Sequence, residues 1–246
     1  MEVVGIIPAR YSSTRFQGKV LADILGKPMI QHVWERAKQA LLLEDLIIAC
    51  DDERVANVAR EFGAKVILTA KGHVSGTDRI IEVVNPLDVR IVINIQGDEP
   101  LIHPMMIDTL AQTLLDDNKI AMATLMKRIE NPAELNDPNV VKVVVDKNNF
   151  ALYFSRTAIP HQARELEVTS PIYYKHIGLY SYTKDFLFIY KNLPVSHLEQ
   201  IECLEQLRVL EEGFRIKVIE TKYETIGVDT PEDLEKVKKY LRRERI

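Results

Sequence analysis

The chain of 246 residues has two cysteines, one tryptophan and ten glycines, and it holds no large excess of either charge. Each shortage excludes something. Cys50 and Cys203 lie far apart without metal-ligand spacing, so no disulfide framework or zinc knuckle is expected; both read as buried thiols of a reducing compartment. No apolar run approaches the roughly 18 residues of a membrane span. Glu2 stands where an export signal would carry basic residues, so a soluble, cytoplasmic protein with no membrane partner is expected. A net charge of -4 and the lack of a basic–aromatic stripe argue against nucleic acid as a partner. The glycines never occur as Gly-x-Gly, which removes the dinucleotide fingerprint. Gly18-Lys19 is followed by Val20, which removes the Walker P-loop.

What remains is an ordinary globular balance, 46% hydrophobic and 28% charged, in a chain long enough for a substantial α/β core. Strand and helix patterns alternate through the first half. Val3–Ile7, Leu46–Cys50, Lys65–Leu68 and Ile91–Ile95 read as short apolar strands, the first breaking at Pro8. Between and after them, Met29–Leu42, Glu53–Phe62, Asp78–Val84 and Pro104–Leu115 carry helical periodicity. Continuous apolar strands between amphipathic helices indicate a mostly parallel sheet covered on both faces. After residue 119 the pattern changes. Ala121–Met126, Val140–Val145, Phe150–Phe154 and Ile177–Tyr182 are strand-like, the first three joined by polar turns. Helices Asp185–Lys191 and Leu198–Glu211, a strand Ile216–Glu220 and a helix from Pro231 follow. No repeat or linker interrupts the chain, so residues 1–246 read as one compact unit, with a β-rich extension at about 120–182.

Four segments carry chemistry. The stretch from Pro8 to Lys19 places Arg10, Arg15 and Lys19 beside small hydroxyl residues straight after the first strand. In open α/β sheets ligands bind beyond the carboxyl ends of the strands, and arginine and lysine there suit a polyphosphate. A solvated basic loop is the plainer alternative. In Asn94-Ile-Gln-Gly-Asp-Glu-Pro100 a buried strand runs out into Gly97 and Asp98, a position for a carboxylate that holds magnesium; a Gly-Asp turn is the alternative. In His73-Val-Ser-Gly-Thr-Asp-Arg79, Ser75 or Thr77 can cap a helix, and Gly76 can present backbone N–H groups to an anion. Arg79 would sit in the first helical turn, where a cation is disfavoured unless an anion is near. In Gly227-Val-Asp-Thr-Pro231, Thr230 and Pro231 start a helix and leave Asp229 over, as a second metal carboxylate or a dipole partner. Two further patches are ambiguous. His176, Gly178 and Tyr180 alternate onto one strand face, a polar ligand wall or a core with a satisfied histidine. Glu205 and Gln206 flank the apolar stripe Ile201, Leu204, Leu207 and Leu210, directed inward or solvated.

Assembled, these segments resemble the CMP-Kdo synthetases, the 3-deoxy-manno-octulosonate cytidylyltransferases among the sugar nucleotidyltransferases. The resemblance rests on Ile7-Pro-Ala-Arg-Tyr-Ser-Ser-Thr-Arg15 with Gly18-Lys19, on Ser75-Gly-Thr-Asp-Arg79 and on Gln96-Gly-Asp-Glu-Pro100. It continues through Asn139–Val144, Tyr153-Phe-Ser-Arg156, His176–Tyr180, Leu204–Arg208 and Gly227–Pro231. The first motif is common to sugar nucleotidyltransferases broadly, and the later ones are narrower. One departure stands out: the family's loop commonly reads Arg-Leu-Pro-Gly-Lys, and here it is Arg15-Phe-Gln-Gly-Lys19.

The resemblance implies a Rossmann-like nucleotidyltransferase fold and a homodimer formed through the middle extension. It implies the reaction of CTP with the sugar acid Kdo to give CMP-Kdo and diphosphate, for bacterial lipopolysaccharide, with magnesium as cofactor. It implies that Ala9, Arg10, Lys19, Ser75, Arg79 and Gln96 seat the nucleotide. Asp98 and Asp229 would hold the metal and, with Lys19, form the catalytic set. Arg15, Gln96, Arg156, His176, Tyr180, Glu205 and Gln206 would line the sugar pocket. No general base is evident in the sequence. Rival readings are an enzyme activating another acidic sugar such as sialic acid, and a catalytically silent nucleotide sensor. The presence of both Asp98 and Asp229 argues against the sensor.

Overall fold

A computed structural model describes residues 1–12, 16–73, 75–163 and 172–244. The first half runs β1 (Val3–Ala9), the small hairpin β2 (Asp23–Ile24) and β3 (Lys27–Pro28), α1 (Met29–Ala37), β4 (Asp45–Cys50), α2 (Glu53–Glu61), β5 (Lys65–Leu68), α3 (Gly76–Val84), β6 (Ile91–Asn94) and α4 (Pro104–Asp116). The second half runs β7 (Met122–Arg128), α5 (Pro132–Asn136), β8 (Lys142–Val145), β9 (Ala151–Ser155), β10 (Tyr174–Thr183), α6 (Lys184–Asn192), α7 (His197–Glu202), α8 (Leu207–Glu211), β11 (Lys217–Glu220) and α9 (Pro231–Glu244).

Seven strands form the body of one sheet in the order β11-β7-β10-β6-β1-β4-β5, with β8 and β9 branching from β10. All seven are parallel except β10, which runs antiparallel to both β6 and β7. The alternation of β1 decides how the sheet is covered. Val3 and Ile7 pack with Ile30, Val33 and Met106 of α1 and α4 on one face. Val4 and Ile6 pack with Ile80, Val84 and Phe186 of α3 and α6 on the other. Strands buried on both faces have no polar side to spare, hence their unbroken apolar runs. From β1 the chain steps outward to β4 and β5, then returns across to β6 on the opposite side of β1. The strand order reverses there, so the carboxyl ends of β1 and β6 border the crevice where such sheets take ligands.

Local chemistry sets the element ends. Asp52 caps α2 by accepting from the Arg54 N–H at 2.9 Å. Ser75 caps α3 in a reciprocal box with Asp78, so this helix begins at Gly76, earlier than the pattern alone suggests. Four expectations need correction. β1 does not break at Pro8 but continues to Ala9, pairing Pro8 with Ala49 and Ala9 with Cys50 of β4. Pairing with β6 has ended by then, at Ile6 and Asn94, so the missing proline N–H interrupts no ladder. The first long helix stops at Ala37, leaving Leu41 86% exposed. The segment Leu198–Glu211 is two short helices, because Cys203 adopts a left-handed conformation at φ 52° and ends α7. That break leaves Ile201 and Cys203 exposed, so Cys203 is not a core thiol, whereas Cys50 is buried as expected.

The β-rich middle of the chain is divided. β7 and β10 lie inside the central sheet, while β8 and β9 extend it as a hairpin. The root of this hairpin is tied by Lys142, whose side chain is fully buried. Its ammonium donates to the carbonyls of Asp137 at 2.9 Å, Val140 at 2.6 Å and Arg156 at 2.5 Å. Replacing Lys142 by Met leaves three inward carbonyls without their donor. The expected loss is about 3 kcal/mol of stability, since charge-assisted bonds to buried groups are costly to orphan. Urea denaturation measures it, and an unchanged midpoint would show that the lysine is not the tie.

Candidate active site

The crevice floor depends on a missing side chain. A Cβ at Gly97 would lie 2.9 Å from the Pro8 carbonyl oxygen, so only glycine lets the end of β1 approach the segment after β6 this closely. Asp98 follows at once. Val228 N–H donates to the Asp98 carbonyl at 2.9 Å, which brings Asp229 alongside. Lys19 arrives from the first loop, closed at its base by Gly18 N–H on the Tyr11 carbonyl at 2.9 Å. Its ammonium donates to Asp98 Oδ2 at 2.6 Å, Asp229 Oδ1 at 2.9 Å and the Val228 carbonyl at 3.1 Å. Burial opposes the charge on Lys19, but the two carboxylates outweigh it and hold its pKa above the ordinary value. Beneath them, burial first and the neighbouring Asp98 second push the Glu99 carboxyl up to about 8.

The wall beside this cluster comes from α3 and the end of β4. Arg79 is 3% exposed, and its guanidinium donates to Asp51 Oδ2 at 2.8 Å and to the Thr69 hydroxyl. Asp51 Oδ1 also accepts the Tyr11 N–H at 3.3 Å. Asp51 is therefore the anion that permits a cation in the first turn of α3. Sequence reasoning missed it, because nothing in the run Cys50-Asp-Asp52 marks which aspartate turns inward. Arg10 stands exposed at the rim, and Ala9 is wholly buried and offers only its backbone. One half of the cleft is thus lined by Arg10, Lys19, Ser75, Arg79, Gln96 and Asp98. Arg15 lies outside the described residues.

The other half lies against β10 and the α7–α8 break. His176, Gly178 and Tyr180 line it, joined by Tyr182, Tyr190 and Gln206. Pairing of β10 with β7 shifts between Ile177 and Tyr180, so Gly178 sits in a bulge. Thr124 Oγ1 lies 2.9 Å from the Leu179 carbonyl and 3.1 Å from that of Ile177. The single hydroxyl proton is given to the backbone, so His176 Nε2, 3.0 Å away, donates to the oxygen. Burial lowers the His176 pKa to about 3, and the ring is neutral at physiological pH. Tyr182 had a legible signal, two residues beyond Tyr180 on the same strand face; Tyr190, on α6, had none.

After the helix break at Cys203, Gln206 turns inward while Glu205 stays exposed at the mouth of the cleft. Gln206 is 6% exposed, and its side-chain Nε2 has no hydrogen-bond partner among the described residues. A buried, unpaired amide facing a cleft calls for a ligand oxygen. Glu205 lines the cleft while remaining exposed overall. Partial desolvation pushes its carboxyl pKa up against the opposing charge of Arg208, and Glu199 and Asp78 push the same way. Arg156 takes a different place from the one expected. It does not line the cleft but braces it from behind, donating to the carbonyls of Glu202 at 2.7 Å, Pro138 at 2.9 Å and Cys203 at 3.3 Å. Gln96, Gly76 and Glu205 border both halves, so the two form one continuous cleft.

The donor set suits a hard cation. Asp98 and Asp229 already converge on one positive charge, that of Lys19, and both offer only oxygen. Among the described residues no group of three or more His, Cys, Asp or Glu is gathered for a metal. Two carboxylates match the way magnesium is bound beside substrate phosphates.

The cytidylyltransferase family model matches residues 4–222. A 3-deoxy-manno-octulosonate cytidylyltransferase of Solibacter usitatus is 56% identical over 96% of this chain and 93% of its own length. Another, from Geotalea uraniireducens, is 49% identical over 99% of this chain and 100% of its own. Among solved structures, a CMP:2-keto-3-deoxy-manno-octonic acid synthetase complexed with CTP superposes with a TM-score of 0.93 at 46% identity, covering 99% of this chain and 100% of the other. The chain belongs to the cytidylyltransferase family, among the 3-deoxy-manno-octulosonate cytidylyltransferases.

Proposed function

We propose that the protein transfers the cytidylyl group of CTP to 3-deoxy-manno-octulosonate, releasing diphosphate, and so activates this sugar acid for lipopolysaccharide assembly. The observation that carries the reading is the two-part cleft: one half gathers Arg10, Lys19 and Arg79, and the other is lined by tyrosines, a neutral histidine and an unpaired amide. The first chemistry suits a triphosphate and the second a polyhydroxylated acceptor.

Phosphoryl chemistry of this kind depends on positioning and on stabilising charge. Arg10 and Lys19 neutralise charge accumulating on the leaving diphosphate, while the backbone around Ala9, Ser75 and Gly76 holds the nucleoside against the end of β1. Asp98 and Asp229 would hold magnesium, which supplies Lewis-acid stabilisation of the phosphate oxygens when bound. Gln96 orients both substrates from the boundary between the halves. His176, Tyr180 and Gln206 hold the sugar hydroxyls, and Arg156 keeps Glu205 and Gln206 in place. A homodimer through the β8–β9 hairpin also fits, since among the described residues β8 is the one strand paired with β9, beyond the Ala151 N–H bond to the Ile216 carbonyl, and Leu152 on it is 62% exposed.

Diphosphate release, assayed with CTP or UTP against Kdo and sialic acid, is expected to be greatest with CTP and Kdo. A preference for sialic acid or for UTP would replace the proposed substrates. Chelation of divalent cations is expected to abolish turnover and added magnesium to restore it. Asp98→Asn should lower kcat by about 100-fold or more, the scale of several kcal/mol of lost charge stabilisation, with the fold intact by circular dichroism. Near-normal turnover in that variant would remove Asp98 from the metal site.

A further inference from the structure

We propose that Asp233 is a positioning residue, whose carboxylate holds the backbone of Asp229 so that this second carboxylate meets Asp98 at the floor of the cleft. The inference rests on the metal role given to Asp98 and Asp229 above, and it begins from an asymmetry between them. Asp98 follows β6 through Ile95, whose N–H donates to the Ile6 carbonyl at 2.9 Å, and Gly97, packed against Pro8. The sheet therefore sets its place. Asp229 has no such support. It lies in the stretch 221–230 between β11 and α9, where no residue belongs to a helix or strand. A coil of that length has many conformations, and a metal carboxylate tolerates little misplacement.

The backbone is held on either side of Asp229. Ahead of it, Val228 N–H donates to the Asp98 carbonyl, and the Val228 side chain is wholly buried. Behind it, Asp233 Oδ2 accepts the Asp229 N–H at 3.4 Å, the Thr230 N–H at 3.2 Å and the Thr230 hydroxyl at 2.9 Å. A capping box needs only the exchange between Thr230 and Asp233, completed by Asp233 N–H on Thr230 Oγ1 at 3.3 Å. The bond to Asp229 lies outside that exchange. It reaches the very residue that shares the Lys19 ammonium with Asp98. Asp233 is itself fixed. Lys236 donates to its other oxygen, Oδ1, at 2.8 Å. Leu234, Val237 and Leu241 seat α9 in one small core with Val228, Ile24 and Met29, so the helix rests on the chain that follows Lys19.

Asp233 lines neither half of the cleft, so it acts through Asp229. Groups that orient a metal ligand from behind govern affinity for the ion without touching it. With the Asp233 carboxylate removed, Asp229 keeps its charge but loses its fixed direction. Bringing both carboxylates onto one cation then costs the freedom of the coil. The loss falls on metal affinity and leaves the chemistry of the loaded site in place.

The test compares wild type with Asp233→Ala, Asp233→Asn and Thr230→Val. Manganese(II) is titrated into each protein without nucleotide, with the free ion read by electron paramagnetic resonance and stability by urea denaturation. Asp233→Ala is expected to weaken manganese binding about 10-fold. The magnesium concentration giving half-maximal turnover should rise to a similar extent, with kcat at saturating magnesium within a few-fold of wild type. Asp233→Asn carries the same charge as the alanine variant but keeps an oxygen that accepts from Asp229, so it should recover most of the affinity. Thr230→Val removes the hydroxyl that caps α9 and leaves the bond to Asp229 in place. Its stability should fall while manganese affinity holds. Equal weakening in Asp233→Asn and Asp233→Ala would reduce the role to charge and overturn the proposal. So would Thr230→Val losing as much affinity as Asp233→Ala, or Asp233→Ala binding manganese as wild type does. Wild-type protein that binds no manganese, or releases no diphosphate from CTP and Kdo, would instead overturn the reading on which the proposal rests.

Discussion

Everything in this cleft depends on a single ammonium group. Lys19 reaches Asp98 and Asp229 at once, and in doing so ties together the loop after β1, the segment after β6 and the approach to α9. These segments are 79 and 210 residues from the lysine in sequence. Without a cation between them, two partly enclosed carboxylates would repel each other and the cleft would open at its floor. The arrangement is organised around positive charge before any substrate arrives. Catalytic sites of this kind gain by being built in advance, because little then has to move as charge shifts.

The two halves of the cleft are built from different parts of the fold, and this division explains their chemistry. Parallel strands and their following loops supply the half lined by Arg10, Lys19 and Arg79, where backbone and cations are abundant. β10, the one antiparallel strand among the central seven, supplies the other half, with alternate residues presented along a wall. A bulge at Gly178 and a left-handed turn at Cys203 bend backbone toward the acceptor. Arg156 holds the Glu202 and Cys203 carbonyls at that turn, so polar backbone freed by the irregularity is satisfied from within.

Much of this was legible in the sequence because it rests on local pattern. The strands of the parallel half are unbroken apolar runs, and Ser75-Gly-Thr-Asp78 spells a helix cap. Asp98 and Asp229 were visible as carboxylates surplus to turns and caps. The rest was not legible, for physical reasons. Asp51 and Asp52 are adjacent and chemically alike; only tertiary placement makes one a partner of Arg79 and the other a helix cap. The break at Cys203 falls within an apolar stripe that reads as continuous helix, since a left-handed residue need not be glycine or asparagine. The role of Arg156 was hidden because a long cation can act on ligand or on backbone, and composition does not distinguish the two.

The Asp51–Arg79 pair carries a consequence for how such clefts diverge. Asp51 accepts from the Tyr11 backbone and so sits at the root of the anion-binding loop, where an uncompensated negative charge would repel a triphosphate. Arg79 cancels that charge from inside the wall. The two positions therefore act as one electrostatic unit. A lineage that loses the arginine alone acquires an electrostatic barrier at the nucleotide door, and one that loses the aspartate alone acquires a buried cation without a mate. Either path is closed unless both positions change together, so substitutions at 51 and 79 are expected to travel as a pair through related chains.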